Sequence, residues 1–277
     1  MGLRINTNVQ SLAAQRSLGD VRLKQGSALE KMASGSRINK AGDDAAGLAI
    51  SENLKANIRG SQQAKRNAGD GISMIQTAEG GLNEVSNILV RLRELSVQAA
   101  SDTIGDQERQ FSDMEFQNLV QEVDRISSST QFNGRDLLSG EGDTADFQIG
   151  VMNDEFNDRI SYKPQDSSAK ADDIGIGGLA VSTKGDAQGN LENIDGAINK
   201  INENRANLGA IQNRLQSTIA NLDVKTENLS AANSRIRDTD IAKTSSDLVK
   251  ANILTSASTS VLSQANSSQN AALKLIG

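Results

Sequence analysis

Between residues 191 and 236, seven successive heptad positions are Ile or Leu: Ile194, Ile201, Leu208, Leu215, Leu222, Leu229 and Ile236. A hydrophobic repeat of 3.5 residues keeps one stripe of a helix against a partner, so this run predicts a coiled-coil-like helix. At about 1.5 Å per residue the helix spans roughly 70 Å, too long for a rounded domain. A second long segment must cover it. The companion positions, three residues earlier, are mixed: Leu191, Ile198, Arg205, Gln212, Ile219, Thr226 and Asn233. Polar residues there either fix register within one chain or meet a polar surface of another molecule.

The partner lies within 44–100. One seam is Ala68, Ile75, Leu82, Leu89 and Ser96, and the other is Gly71, Ala78, Val85, Leu92 and Ala99. Gly80-Gly81 falls inside it. Each Gly costs about 1 kcal/mol against Ala in a helix interior, so the pair predicts a local bend or a close backbone contact. A third helix is expected from about 105 to 129, with Phe111 near its start and Phe116, Leu119, Val123 and Ile126 at 3-4-3 spacing. Three such antiparallel segments can share one elongated core. Residues 133–190 change character. Asn133-Gly134 reads as a turn, and Phe147, Ile149 and Val151 alternate so as to pair with Ile160 and Tyr162 across 153–158, which is a β-hairpin signal. Ile174–Val181 is a short strand candidate in an otherwise loop-rich tip.

The two ends carry thin stripes. Ile5, Val9, Leu12, Leu18, Val21, Leu29 and Met32 mark the first 40 residues. Leu248, Ala251, Leu254, Ala257, Val261, Ala265, Ala272 and Ile276 mark 237–277. Faces so rich in Ala and Ser bury too little area to offset the ordering cost of an isolated helix. The ends are therefore expected to pack on each other and to be completed by other copies, through the head-to-tail contacts that propagate an open filament. Ile5, Val9, Leu12, Leu254, Val261 and Ile276 are the candidate self-assembly residues. Arg4, Arg16, Arg22, Lys24, Lys31, Arg37 and Lys40 face only Asp20 and Glu30 within 1–40. That basic end reads either as a binding arm or as a solvated or subunit-facing helix face.

The expected fold is thus mainly α: long antiparallel coiled-coil-like helices with a small β-hairpin region and paired N- and C-terminal helices. Residues 1–42 and 237–277 form a discontinuous inner unit, and 43–236 an elongated core unit with its tip at about 133–190. Other classes lack their residues. The net charge of −6 disfavours a general nucleic-acid binder. With no Cys and no His, disulfides, thiolate metal sites and the commonest zinc ligand are absent. Gly42-x-x-x-x-Gly47 has phosphate-loop spacing without the following Lys-Ser/Thr. Carboxylate-only catalysis would want aromatic platforms, and the chain has no Trp and a single Tyr. No enzyme activity, cofactor or metal is expected. No run of about 18 apolar residues would span a bilayer, and no apolar segment after Arg4 marks a cleaved secretory signal. A non-polymerising coiled-coil binding module is the rival, which the matched terminal helices and the hairpin fit less well.

Several stretches resemble bacterial flagellin. They are Ile5-Asn-Thr-Asn-Val9, Ser34-Gly-Ser-Arg-Ile-Asn39, Asp43-Asp-Ala-Ala-Gly-Leu-Ala-Ile50, Arg91-Leu-Arg-Glu-Leu95 and Thr130-Gln-Phe-Asn-Gly134. Ala206-Asn-Leu-Gly-Ala-Ile-Gln-Asn-Arg214 and Asn228-Leu-Ser-Ala-Ala-Asn-Ser-Arg-Ile236 continue the pattern. The similarity covers about 1–162 and 190–277. It departs at Leu273-Lys-Leu-Ile-Gly277 and at Ile241, where relatives differ.

The resemblance implies a short-form subunit of the extracellular flagellar filament used for swimming, without large inserted outer domains. It implies export through the flagellar type III channel without a cleaved signal peptide. Partners implied are further copies of the chain, an export chaperone, the hook-associated junction proteins, the filament cap and innate immune receptors of hosts, with no nucleic acid and no membrane. By the same resemblance Arg91, Leu95 and Glu115 match positions read by an animal receptor, and Asp43, Asp44 and Gly47 lie in the part sensed by plants. Some flagellins carry a zinc protease, which a chain without His cannot build. The hook–filament junction protein shares the terminal pattern and is the alternative within the resemblance.

Overall fold

The computed structural model describes the backbone of residues 7–276 and the side chains of 7–267. The order is α1 (Val9–Ser34), α2 (Ala45–Ala99), α3 (Asp106–Ser129), β1 (Gln131–Phe132), β2 (Arg135–Asp136), β3 (Ala145–Gln148), β4 (Arg159–Tyr162), a 3-10 turn (Pro164–Ser167), α4 (Ala171–Ile174), α5 (Lys184–Arg237) and α6 (Ile241–Ile276). The chain divides into a helical unit, Ile58–Glu227, and a terminal unit made of Met1–Asn57 and Asn228–Gly277.

In the helical unit, α2 and α5 run antiparallel. Lys65 meets Asp223 at 2.6 Å and Arg93 meets Asp195 at 2.7 Å. Both intervals, Lys65 to Arg93 and Asp195 to Asp223, are 28 residues, so the register holds over four heptads. All ten α2 seam positions are buried, as the spacing predicts. On α5, Ile194, Ile201, Leu208, Leu215 and Leu222 are buried. Phe116 and Val123 of α3 join the same core, with Val120 beside them, while Phe111 is exposed.

The second buried seam of α5 differs from the expected one. Leu191, Ile198, Arg205 and Gln212 are only half-buried, and the buried line lies at Asn190, Ala197 and Asn204. The reason is a second neighbour. Residues 163–183 lie along α5, and their backbone carbonyls need donors. Asn190 Nδ2 donates to Ala180 O at 2.6 Å, and Asn204 Nδ2 to Ser168 O at 3.2 Å.

The segment 133–190 flanks the bundle and is not a tip. The β1–β2 hairpin turns at Asn133-Gly134, whose φ values of 51° and 77° suit a two-residue turn between twisted strands. The β3–β4 hairpin pairs Phe147 with Ile160 and Ala145 with Tyr162, as its alternation predicts. It lies beside α2, where Asn67 Nδ2 donates to Gln148 O at 2.9 Å. The strand candidate Ile174–Val181 is instead α4 followed by a loop. That loop is held by side chains: Gln117 Nε2 donates to Leu179 O, and Asp124 and Asp113 accept from the N–H groups of Ala171 and Val181. α2 continues straight through Gly80-Gly81. At Gly81 a Cβ would sit 2.7 Å from Leu138 Cδ1 and from Thr130 Oγ1, so the close-contact reading of that pair holds.

In the terminal unit, α1 and α6 pair antiparallel. Asn8 Nδ2 donates to Ala265 O at 2.9 Å, Gln25 Nε2 to Asn252 Oδ1 at 2.7 Å, and Thr239 N to Gly35 O at 3.0 Å. The connection after α1 folds onto the adjoining helix ends: Arg37 donates to Ile236 O at 2.6 Å, and Arg237 reaches Glu52 at 2.5 Å. This anchoring moves the unit boundaries into α2 and α5, at 57/58 and 227/228, away from the expected 42/43 and 236/237.

Candidate self-assembly surface

The α1–α6 contact is a heptad seam built mostly of small side chains. Ser11, Ala14, Leu18, Val21 and Ala28 are its buried residues on α1. Thr244, Ala251 and Ala265 are buried on α6, and Leu248, Thr255, Ser258 and Leu262 complete the stripe at half burial. Apolar transfer contributes about 25 cal/mol per Å², so Ala and Ser at most positions leave this pair weakly held.

Larger apolar residues of the same two helices point away from the seam. Val9 is 63% exposed, Leu12 53%, Val261 59% and Leu254 42%. The face deduced for α6 through Leu254, Ala257 and Val261 therefore lies outside the α1 contact; these three are exposed. Ile5 and the side chain of Ile276 lie outside the described residues. Leu23, Val249 and Ile253 are also exposed and were not singled out by the sequence pattern. They escaped because a scan for large apolar residues assigns them to the stripe's padding, while the true seam is a heptad of Ala, Ser and Thr. Exposed apolar residues gathered on two helices are the usual mark of a surface that another molecule covers.

The link from α1 to α2 is fixed by charge and backbone bonds. Asp43 accepts from Asn39 N and Lys40 N, both at 3.1 Å. These two N–H bonds hold its carboxyl below the ordinary range. Asp44 Oδ1 caps α2 by accepting from Gly47 N at 2.8 Å. Gly47 is buried, and a Cβ there would press on Asp44 and on Ile38 Cδ1 at 2.8 Å. Lys40 pairs with Glu30 at 2.9 Å, and that bond raises its pKa.

In the helical unit, Arg91 lies between Glu115 at 2.8 Å and Glu94 at 3.0 Å, and the bond to Glu115 is the largest cause of its raised pKa. Arg91 and Glu115 are half-exposed and come together on one surface. Leu95 does not join them: it is 2% exposed and belongs to the core. Its assignment as outward-facing is corrected, because position 95 lies beside the 92/96/99 stripe on the buried side of α2. Arg109 escaped the sequence reading altogether. Buried at the α2–α3 turn, it donates to Ala99 O at 2.9 Å and Ser101 O at 3.0 Å, closing the C-terminus of α2.

Among the described residues, no group of three or more acidic side chains is placed to hold a metal ion. No described helix is long and apolar enough to cross a membrane.

A register-locked helical bundle joined to a thin, incompletely covered helix pair defines a self-associating structural protein. A model of the bacterial flagellin N-terminal helical region matches residues 5–143, and one of the bacterial flagellin C-terminal helical region matches 191–276. A flagellin of Halalkalibacterium halodurans is 45% identical over 277 residues, covering 98% of this chain and 99% of its own. A flagellin of Bacillus subtilis is 41% identical, covering 99% and 100%. A flagellar filament 33 kDa core protein of Treponema phagedenis is 41% identical, covering 98% and 99%. The crystal structure of Bacillus cereus flagellin is similar with a TM-score of 0.51 and 30% identity, over 61% of this chain and 94% of that one. The chain belongs to the bacterial flagellin family.

Proposed function

We infer that the protein is the structural subunit of a bacterial flagellar filament, polymerising with copies of itself. The observation that carries this reading is the exposure of Val9, Leu12 and Val261 beside a seam of small residues. Full-length similarity to flagellins and to filament core proteins supports it. Its work is structural and not catalytic. The exposed apolar face of α1 and α6 is buried when subunits assemble, which supplies the area that the α1–α6 seam lacks. A hook–filament junction role is less well supported, because the named relatives over the full length are filament proteins.

The finer partners rest on the resemblance. An export chaperone, junction proteins and a cap follow from membership of the family, as does type III export without signal cleavage. Recognition of the released subunit by host receptors is supported by the outward Arg91–Glu115 pair and by the Asp43–Gly47 turn. A receptor reporter that stays silent with purified subunit refutes that part.

The assembly reading is tested by Leu12→Asp and Val261→Asp. Both side chains are exposed in the free subunit, so stability should change by less than about 0.5 kcal/mol. Seeded elongation, followed by light scattering, should be abolished. Elongation at the unmodified rate by both variants would overturn the reading.

A further inference from the structure

Charge is divided unequally between the two units. Met1–Asn57 with Asn228–Gly277 carry 13 Lys and Arg against 8 Asp and Glu, a net +5, whereas Ile58–Glu227 carry 16 against 27, a net −11. The overall −6 thus conceals two parts of opposite sign. The basic excess has a focus. A groove of about 750 Å³ between α1 and the beginning of α6 is lined by Lys24, Lys31, Arg37, Lys243 and Lys250. Three acids, Asp238, Asp240 and Asp247, share its wall, and Asp240 is engaged as the cap of α6, accepting from Lys243 N at 3.1 Å. Among the described ion pairs none involves Lys24, Lys31, Lys243 or Lys250. The groove floor is apolar, with Val21, Ala28, Ala251 and Leu254.

We propose that this basic groove docks the acidic helical unit of a second copy of the chain. The proposal rests on the filament reading and adds to it the pairing of unlike units. Charge complementarity selects the occupant. A second terminal unit would bring another +5 against these cations, while the helical unit brings a field of the opposite sign. Opposite potentials steer encounter and penalise like-to-like docking. Charges placed on exposed helix faces are screened beyond about 10 Å at 0.1 M salt. Addition of subunits by this route is therefore salt-sensitive, whereas packing of apolar faces alone is not.

The test uses the full chain, half of it labelled with ¹⁵N, polymerised from seeds and treated with a water-soluble carbodiimide. The reagent joins a carboxylate to a lysine amine as an amide with loss of water, and mixed-isotope peptides identify links between copies. The expected result is links from Lys24, Lys31, Lys243 or Lys250 to Asp or Glu of 58–227 in the other copy. Links from these lysines only to the terminal unit of the other copy, or no links between copies, overturn the proposal. If nothing filamentous sediments, the filament reading fails, and links in the soluble fraction still decide the docking. In parallel, the variant carrying Lys24→Gln, Lys31→Gln, Lys243→Gln and Lys250→Gln should keep the circular dichroism of the free subunit. It should elongate about tenfold more slowly at low salt and lose most of its salt dependence. Elongation at the unmodified rate with unmodified salt dependence also overturns the proposal.

Discussion

Gly80 and Gly81 are neighbours in one helix with opposite reasons for being glycine. Nothing lies within 4 Å of a Cβ built on Gly80, while at Gly81 it would strike the buried Leu138 and Thr130. Gly80→Ala should stabilise the protein by about 0.5–1 kcal/mol through helix propensity. Gly81→Ala should destabilise it by about 1–3 kcal/mol through overpacking. Urea midpoints of the two variants check the pair, and equal shifts of the same sign would refute it. The sequence marks the pair as special but not which member, because that depends on a hairpin more than 45 residues away. Tyr162 makes a second residue-scale case. Its hydroxyl donates to Leu137 O at 2.6 Å, and burial pushes the phenol up from 10.0 to about 12. The folded state holds the proton more tightly than the unfolded chain. This contribution is complete below pH 10 and is lost as pH rises from 10 to 12, by about 2–3 kcal/mol in all. Tyr162→Phe should cost about 1 kcal/mol at pH 7, and its stability should fall less steeply than the parent's between pH 10 and 12 in urea titrations. Parallel loss in both proteins would contradict this origin.

At the scale of elements, large apolar residues at regular spacing were legible and small ones were not. The Ile/Leu line of α5 and both seams of α2 follow directly from the heptad count. The α1–α6 seam did not, because Ala14, Ala28, Ala251 and Ala265 look like filler until two helices are seen to approach over them. The second α5 seam was missed for another reason. Asn190 and Asn204 are placed there to satisfy carbonyls of 163–183, and no periodicity within α5 announces a loop's needs. That segment likewise reads as a strand from its apolar residues, yet Asp113, Gln117 and Asp124 of α3 secure its backbone in place of a ladder. Asn204→Ala removes one of these fastenings and leaves Ser168 O without its buried donor. The expected cost is about 1–3 kcal/mol, with faster amide exchange confined to 163–183. Unchanged exchange in that segment would show that the strapping lies elsewhere.

For the whole molecule, the account separates a self-sufficient helical unit from a terminal unit that is incomplete alone. The first has continuous apolar seams, cross-helix ion pairs in register and hairpins laid along its flank. The second has a thin seam, exposed Val and Leu side chains, and a positive charge opposite to that of its companion. Assembly-site candidates Val9, Leu12, Leu254 and Val261 were legible as apolar residues on sparse helices. Their outward direction was not, because it depends on which turn of α6 meets α1.

The most direct measurement is amide hydrogen exchange on one preparation, first as dilute subunit and then as filament. The account predicts that 58–227 is protected in both states. It predicts that the described parts of α1 and α6 exchange readily in the subunit and slow by more than about a hundredfold in the filament. Equal, strong protection of α1 and α6 before and after polymerisation would contradict it.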